Sequence, residues 1–154
     1  MRTAYKPFWF ILAVLCALIL IAGISRMNDA PERIPWRTDF TAARHEAAST
    51  NKPLFAYFTA PWCQPCQRLK HTTWADAGVE QSLKAYVPVE IDIDTHQDLA
   101  ARYAPDGIPT FVVLDRDGVA IKSGGGPMSP EEFRAWLSAT PLPNHGNDMN
   151  SPTR

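Results

Sequence analysis

Hydrophobic patterning divides the chain into segments of distinct character. Phe8 to Ile24 is an unbroken run of 17 uncharged residues. As a helix rising about 1.5 Å per residue it spans roughly 26 Å, close to a bilayer core of about 30 Å. The run predicts a membrane anchor over residues 1–25, or a signal segment in which Gly23-Ile24-Ser25 would be a poor cleavage site. Arg2, Lys6 and the terminal amine precede it, while Arg26, Asp29, Glu32 and Arg33 nearly cancel after it. That asymmetry places the N-terminus in the cytoplasm and the rest of the chain outside it. Residues 26–37 contain Asn28, Asp29, Pro31 and Pro35 and have no hydrophobic period, so they read as a tether.

From residue 38 the pattern changes to short alternating elements. Asp39 can cap a helix through about Ser49, with Phe40, Ala43 and Ala47 along one face, ended by Asn51-Lys52-Pro53. Leu54 to Thr59 has no charge and reads as a strand buried on both faces. A helix follows from Cys63 to about His71 and resumes from Asp76 to Ala85. Val87 to Ile93 alternates apolar with acidic residues, as a strand does, and His96 to Tyr103 has helical spacing. Thr110 to Leu114 and Val119 to Lys122, joined by Asp115-Arg116-Asp117-Gly118, form a hairpin signal. Ser129-Pro130-Glu131-Glu132 carries a Ser cap, Pro at the first helical position and the second carboxylate of a capping box. Phe133, Trp136 and Leu137 give that last helix its apolar stripe. Residues 141–154, rich in Pro and Asn, read as a disordered tail. This order predicts an α/β domain over residues 38–140, one mixed central sheet with helices on both faces.

The length of 154 residues allows one such domain. Lys plus Arg number 15 and Asp plus Glu 16, and no basic run interleaved with aromatics occurs, so nothing points to a nucleic-acid partner.

Of three cysteines, Cys16 lies inside the apolar run and reads as a membrane thiol without a catalytic role; Cys63-Gln64-Pro65-Cys66 is the CxxC of the chain. It sits where a buried strand gives way to a helix. A thiol at a helix N-terminus meets the positive end of the helix dipole and unpaired N–H groups, which favour thiolate. Cys63 is therefore the candidate nucleophile. Cys66, one turn further in, is placed to attack a mixed disulfide on Cys63 and release the reduced substrate. Two other readings compete: a structural disulfide, which over so short a loop adds little stability, and a zinc site, for which no second Cys pair or closely spaced His pair exists. No metal is assigned, and no cofactor is implied beyond the dithiol itself.

Trp62-Cys63-Gln64-Pro65-Cys66 after an apolar strand, with Gly107-Ile108-Pro109-Thr110 before a later one, resembles the thioredoxin superfamily. The span from Pro53 to Leu137 looks most like the C-terminal, periplasmic thioredoxin-like domain of membrane thiol:disulfide interchange proteins of the DsbD type. The resemblance implies a cis Pro109 against the active-site disulfide, flanked by Ile108 and Thr110. It also implies that the Ile108 backbone pairs with an extended substrate segment and that Trp62 covers the edge of the site. Two departures stand out. Thioredoxins place a buried Asp six residues before the first Cys, where this chain has Tyr57. Interchange-type domains often add an acid four residues after the second Cys, where it has Lys70. Such groups tune thiol pKa values. Lys70 shares a helix face with Cys66 and Cys63 by its spacing, so its ammonium is expected to favour thiolate. The reading of the whole chain is a thiol–disulfide oxidoreductase anchored in the inner membrane by a single pass, with its catalytic domain in the periplasm. It acts on protein thiols and disulfides, reducing or isomerising those of exported proteins. Its electrons come from a membrane donor of the interchange type. The alternative is a thioredoxin-like binding or chaperone module, one that could carry a metal through the CxxC, without redox turnover.

Overall fold

A computed structural model describes residue 9, residues 11–18 and residues 31–139; the expected tail over 141–154 and most of the expected anchor over 1–25 lie outside the described residues. The chain divides after Pro31 into two units. In the first, residues 9 and 11–18 are helical, and the exposed side chains of Trp9, Ile11, Leu12, Val14, Leu15 and Leu18 are all apolar. Among the described residues no helix is long and apolar enough to cross a membrane.

The second unit runs α1 (Phe40–Thr50), β1 (Leu54–Thr59), α2 (Gln64–His71), a 3-10 turn (Thr73–Ala75), α3 (Ala77–Leu83), β2 (Val87–Asp92), α4 (Gln97–Tyr103), β3 (Thr110–Leu114), β4 (Ala120–Gly125) and α5 (Pro130–Ser138). The sheet order is β2-β1-β3-β4, with β1 parallel to β2 and antiparallel to β3. All six residues of β1 are buried. Successive side chains of a strand point to opposite faces, so β1 feeds two cores. Leu54, Ala56 and Phe58 join Val87, Val89, Ile91, Val112 and Leu114 beneath α1 and α4, where Ala43 and Ala47 let α1 approach closely. Phe55 and Tyr57 join Phe111, Val113, Trp74, Phe133 and both active-site cysteines beneath α2, α3 and α5. Helices thus cover both faces, as the pattern predicts.

Local chemistry fixes the ends of the helices. Asp39 accepts from the Ala42 N–H, Asp76 from Val79, and Ser129 with Glu132 forms a reciprocal capping box. Asn51 ends α1 in the left-handed conformation, with φ of 57°. In the β3–β4 turn, Asp115 Oδ1 accepts from the N–H groups of Asp117 and Val119. Strand β4 extends beyond the expected Lys122 to Gly125. Its glycines weaken the strand signal in the sequence, yet packing requires them. A Cβ at Gly124 would lie 2.8 Å from the Trp136 indole nitrogen, and one at Gly125 would lie 2.9 Å from the Pro109 carbonyl oxygen. The helix after β1 begins at Gln64 rather than Cys63, which is its N-cap.

The segment expected as a tether differs most. Residues from Glu32 onward belong to the folded unit. Arg37 bridges Val89 on the outer edge of β2, donating to Pro88 O at 3.0 Å and accepting from Glu90 N at 2.9 Å. Ile34 is 5% exposed, and the Trp36 ring lies 5.5 Å from those of Tyr57 and Trp74. Ile34 and Trp36 alternate with Pro35 as isolated apolar residues, so periodicity could not register them. Ile34→Ala is expected to cost about 2–4 kcal/mol of stability by opening a cavity in the aromatic core. Urea unfolding checks this, and an unchanged midpoint would show the segment to be a loose tether.

Candidate active site

β1 ends at Thr59, and a turn through Ala60, Pro61 and Trp62 delivers Cys63 to the start of α2. Cys63 keeps an extended backbone, with φ of −77° and ψ of 100°, and its Sγ accepts from the Cys66 N–H at 3.3 Å. A sulfur in the N-cap position thus receives one of the helix's orphan donors, the arrangement that stabilises a thiolate. Cys63 and Cys66 are joined as a disulfide, with Cα atoms 5.2 Å apart. Cys63 is 3% exposed and Cys66 wholly buried, so an incoming disulfide meets Cys63 first. Gln67 Nε2 donates to Pro61 O at 3.2 Å and ties α2 back to the turn. Cys16 is unpaired and exposed.

Trp62 is 61% exposed, and its indole N–H donates to Asp94 Oδ2 at 2.8 Å. Asp94, which follows β2, is a partner that sequence reasoning missed, because its distance in the chain hides the contact. The Ile108–Pro109 peptide is cis. Thr110 Oγ1 donates to Gly107 O at 2.6 Å, and the Gly126 N–H donates to Pro109 O at 2.9 Å. Gly126, with φ of +82°, sits in the left-handed region that favours glycine. Beside α2 runs an apolar groove of roughly 370 Å³ lined by Pro65, Leu69, Pro127, Met128 and Pro130, with Arg68 at its rim.

The two positions singled out as departures lie on β1 and on α2. The Tyr57 hydroxyl donates to Cys66 O at 3.5 Å, and burial pushes its pKa up to about 12. Tyr57 is therefore neutral wherever the dithiol works. The Lys70 ammonium does not stand alone against the sulfurs: its Nζ is 3.0 Å from Glu90 Oε1. Glu90 is a second residue the sequence concealed. The alternation of β2 already sets it on the face opposite Val87, Val89 and Ile91, but the register that puts it beside Tyr57 comes only with the fold. Among the described residues no three His, Cys, Asp or Glu side chains gather as metal ligands.

Residues 40–141 match the sequence profile of the thioredoxin-like domain. The chain belongs to the thioredoxin-like family. Thioredoxin-1 of Drosophila melanogaster is 33% identical over 94 residues, covering 61% of this chain and 75% of that protein. The thiol:disulfide interchange protein TxlA of Synechococcus elongatus is 28% identical over 137 residues, 86% of this chain and 72% of its own length. A probable protein disulfide-isomerase A6 of Medicago sativa is 30% identical over 87 residues, and this chain spans 24% of its length. Among solved structures, a thioredoxin from Thermus thermophilus superposes with a TM-score of 0.61 at 27% identity, covering 68% of this chain and 85% of that one. The oxidised C-terminal domain of DsbD from Neisseria meningitidis has the same fold, with a TM-score of 0.58 over 69% of this chain and 99% of that domain at 23% identity. With its dithiol at the start of α2, this thioredoxin-like chain is a thiol–disulfide oxidoreductase.

Tyr57 gives a pH signature. Its folded pKa of about 12 exceeds the ordinary value of 10.0, so between those values the unfolded chain loses a proton that the folded chain keeps. Its contribution is whole below pH 10 and is lost as pH rises toward 12, on the order of 3 kcal/mol in all. Urea unfolding at stepped alkaline pH should show the loss, and Tyr57→Phe should flatten it. Equal slopes in the two proteins would remove Tyr57 as its source.

Proposed function

We infer that the chain reduces or isomerises disulfides of exported proteins, held at the inner membrane by its N-terminal run with the catalytic domain in the periplasm. The observation that carries this reading is the pairing of an N-cap Cys63 with a wholly buried Cys66. The Cys63 thiolate attacks a substrate disulfide, forming a mixed disulfide and releasing one substrate thiolate. Cys66 then loses its proton and attacks Cys63 Sγ, the second substrate thiolate leaves, and the Cys63–Cys66 disulfide forms. Two electrons pass from protein to substrate. Ile108 supports the docking role given to its loop, since no hydrogen bond within the described residues uses its backbone N–H or C=O. Trp62 and Thr110 frame the approach.

Gln-Pro between the cysteines supports the reducing direction, being closer to the Gly-Pro of reducing thioredoxins than to the Pro-His of strong oxidants. A reductase outside the cytoplasm needs electrons carried across the membrane. A membrane protein of the interchange type is the partner that fits, in keeping with the likeness to TxlA. The anchor is supported by the uncharged run from Phe8 to Ile24, whose described large side chains are all exposed. A helix apolar all round needs lipid or protein about it.

The full chain in mild detergent is expected to reduce insulin, and Cys63→Ser to abolish the reaction. Cys66→Ser should accumulate a mixed disulfide on Cys63, visible by non-reducing electrophoresis. The dithiol potential is expected near −270 mV, as for thioredoxin, whereas a value near −120 mV would assign the oxidising direction. Insulin left intact would favour a binding or chaperone module without turnover. Extraction of the chain by alkaline carbonate alone would count against the anchor.

A further inference from the structure

β1 and β2 run side by side from Leu54 and Val87 to Thr59 and Asp92, and the dithiol follows the far end of β1. The start of the two strands is therefore a separate end of the sheet, about 17–20 Å from the chemistry already described. There a cavity of about 350 Å³ opens between the leading segment, the end of α3 and the start of β2. Arg37, Lys52, Glu80, Lys84 and Tyr86 bring polar groups to its wall, and Leu83 adds apolar lining. No step of thiol–disulfide exchange uses it.

Tyr86 is the anomaly in that wall. It is 6% exposed, with its ring edge-on to Phe55 at 6.5 Å between centroids, and the little surface it keeps opens into the cavity. Its hydroxyl makes no hydrogen bond within the described residues, and burial raises its pKa, so it stays a neutral donor. A buried hydroxyl without a protein partner needs one from elsewhere. The charges around it favour an anion. Arg33, Arg37, Lys52 and Lys84 stand against Glu46 and Glu80, and all six are at least partly exposed, so they count alike. Arg33 Nη1 lies 3.5 Å from Glu80 Oε2, and Arg37 Nε donates to Glu46 Oε2 at 2.9 Å. The Arg37 hydrogen bond, aided by the Lys52 charge, holds the Glu46 carboxyl below its ordinary range. Each carboxylate thus has its arginine. The two ammonium groups reach only neutral acceptors: Lys52 Nζ donates to Lys84 O and Lys84 Nζ to Gln81 Oε1, both at 2.9 Å.

We propose that this cavity binds a phosphate-type anion, with the Tyr86 hydroxyl donating to it and the Lys52 and Lys84 ammonium groups balancing its charge. A tetrahedral phosphate can accept from donors that reach it from different elements at once, whereas a planar carboxylate turns both oxygens one way. Lysine suits this role, since its ammonium acts as a point charge on a flexible stem and two of its three donors stay free here. The Arg37 guanidinium is already engaged by Glu46 and by Pro35 O. Leu83 and the Tyr86 ring leave an apolar side for the carbon substituent of a phosphate ester. The chemistry is common to free phosphate and to a phospholipid headgroup. Because the cavity lies apart from the dithiol, the proposal does not rest on the oxidoreductase reading.

Calorimetric titration of the full chain in non-ionic detergent, at constant ionic strength, tests this with two probes: inorganic phosphate and glycerophosphoglycerol, the deacylated headgroup of phosphatidylglycerol. Saturable binding is expected. Tyr86→Phe, which keeps the ring on Phe55 and removes only the hydroxyl, should weaken it about tenfold. Lys84→Gln should weaken it about threefold, and Glu80→Gln should tighten it about threefold by removing a like charge from the wall. Tighter binding of glycerophosphoglycerol would assign the site to a lipid headgroup and tighter binding of phosphate to the free anion; either supports the shared chemistry. The absence of saturable binding by both probes overturns the proposal. So does an unchanged affinity in Tyr86→Phe, which would mark a general attraction to exposed lysines. Should Tyr86→Phe fail to fold, Lys84→Gln and Glu80→Gln still carry opposite signs, and equal affinities in those two would overturn it. Insulin reduction should be the same in all three variants, and its failure in the unaltered chain would strike the oxidoreductase reading alone.

Discussion

Burial of β1 on both faces is the constraint from which the rest of the structure follows. Its six residues carry no charge, and each face needs its own cover. Phe55 and Tyr57 demand the aromatic cluster built from Trp36, Trp74, Phe111 and Phe133; Leu54, Ala56 and Phe58 demand α1 and the outer side of β2. A parallel neighbour on one side requires a crossover, and that crossover is α2, the turn at Thr73–Ala75 and α3. The active site is thus the place where the most buried strand emerges and its crossover helix begins. Cys63 occupies the one residue shared by those two requirements, with an extended backbone facing the strand and a side chain facing the helix.

The same placement explains how two chemically identical side chains come to differ. Cys63 lies at the mouth of the helix and receives an N–H, while Cys66 lies a turn deeper among aromatic rings and the hydroxyl of Tyr57. The environment assigns the roles of nucleophile and resolving thiol, and the intervening Gln64-Pro65 holds the spacing. The Pro109 loop is built independently, from β3 and the glycines of β4, whose missing Cβ atoms let the Pro109 carbonyl and the Trp136 indole come close.

The sequence disclosed those parts of the molecule that are local. The strand over Leu54–Thr59, the capping grammar of α1 and α5, the hairpin turn at Asp115 and the CxxC all depend on neighbours within a few residues. Contacts between elements were hidden. Glu90 reads as the polar half of an alternating strand until register brings it beside Tyr57, and Lys70 reads as a free ammonium until Glu90 is opposite it. Ile34 and Trp36 stand among prolines and charges, where only the aromatic core of distant elements gives them a purpose. For the same reason the strand signal of β4 stops short of its end, since the need for glycine at 124 and 125 comes from Trp136 and Pro109 rather than from β4 itself.

The strand-like contact of Arg37 with Val89 bears on solubility. A sheet edge with unpaired N–H and C=O groups is a template for another chain, and β2, rich in valine and isoleucine, would be a sticky one. Arg37 occupies part of that edge, and Pro88 lacks the N–H that an incoming strand would seek. The opposite edge, β4, offers Lys122 and a glycine-rich end that grips a foreign strand poorly. The segment that covers the aromatic core therefore also shields part of the sheet edge from pairing with another chain.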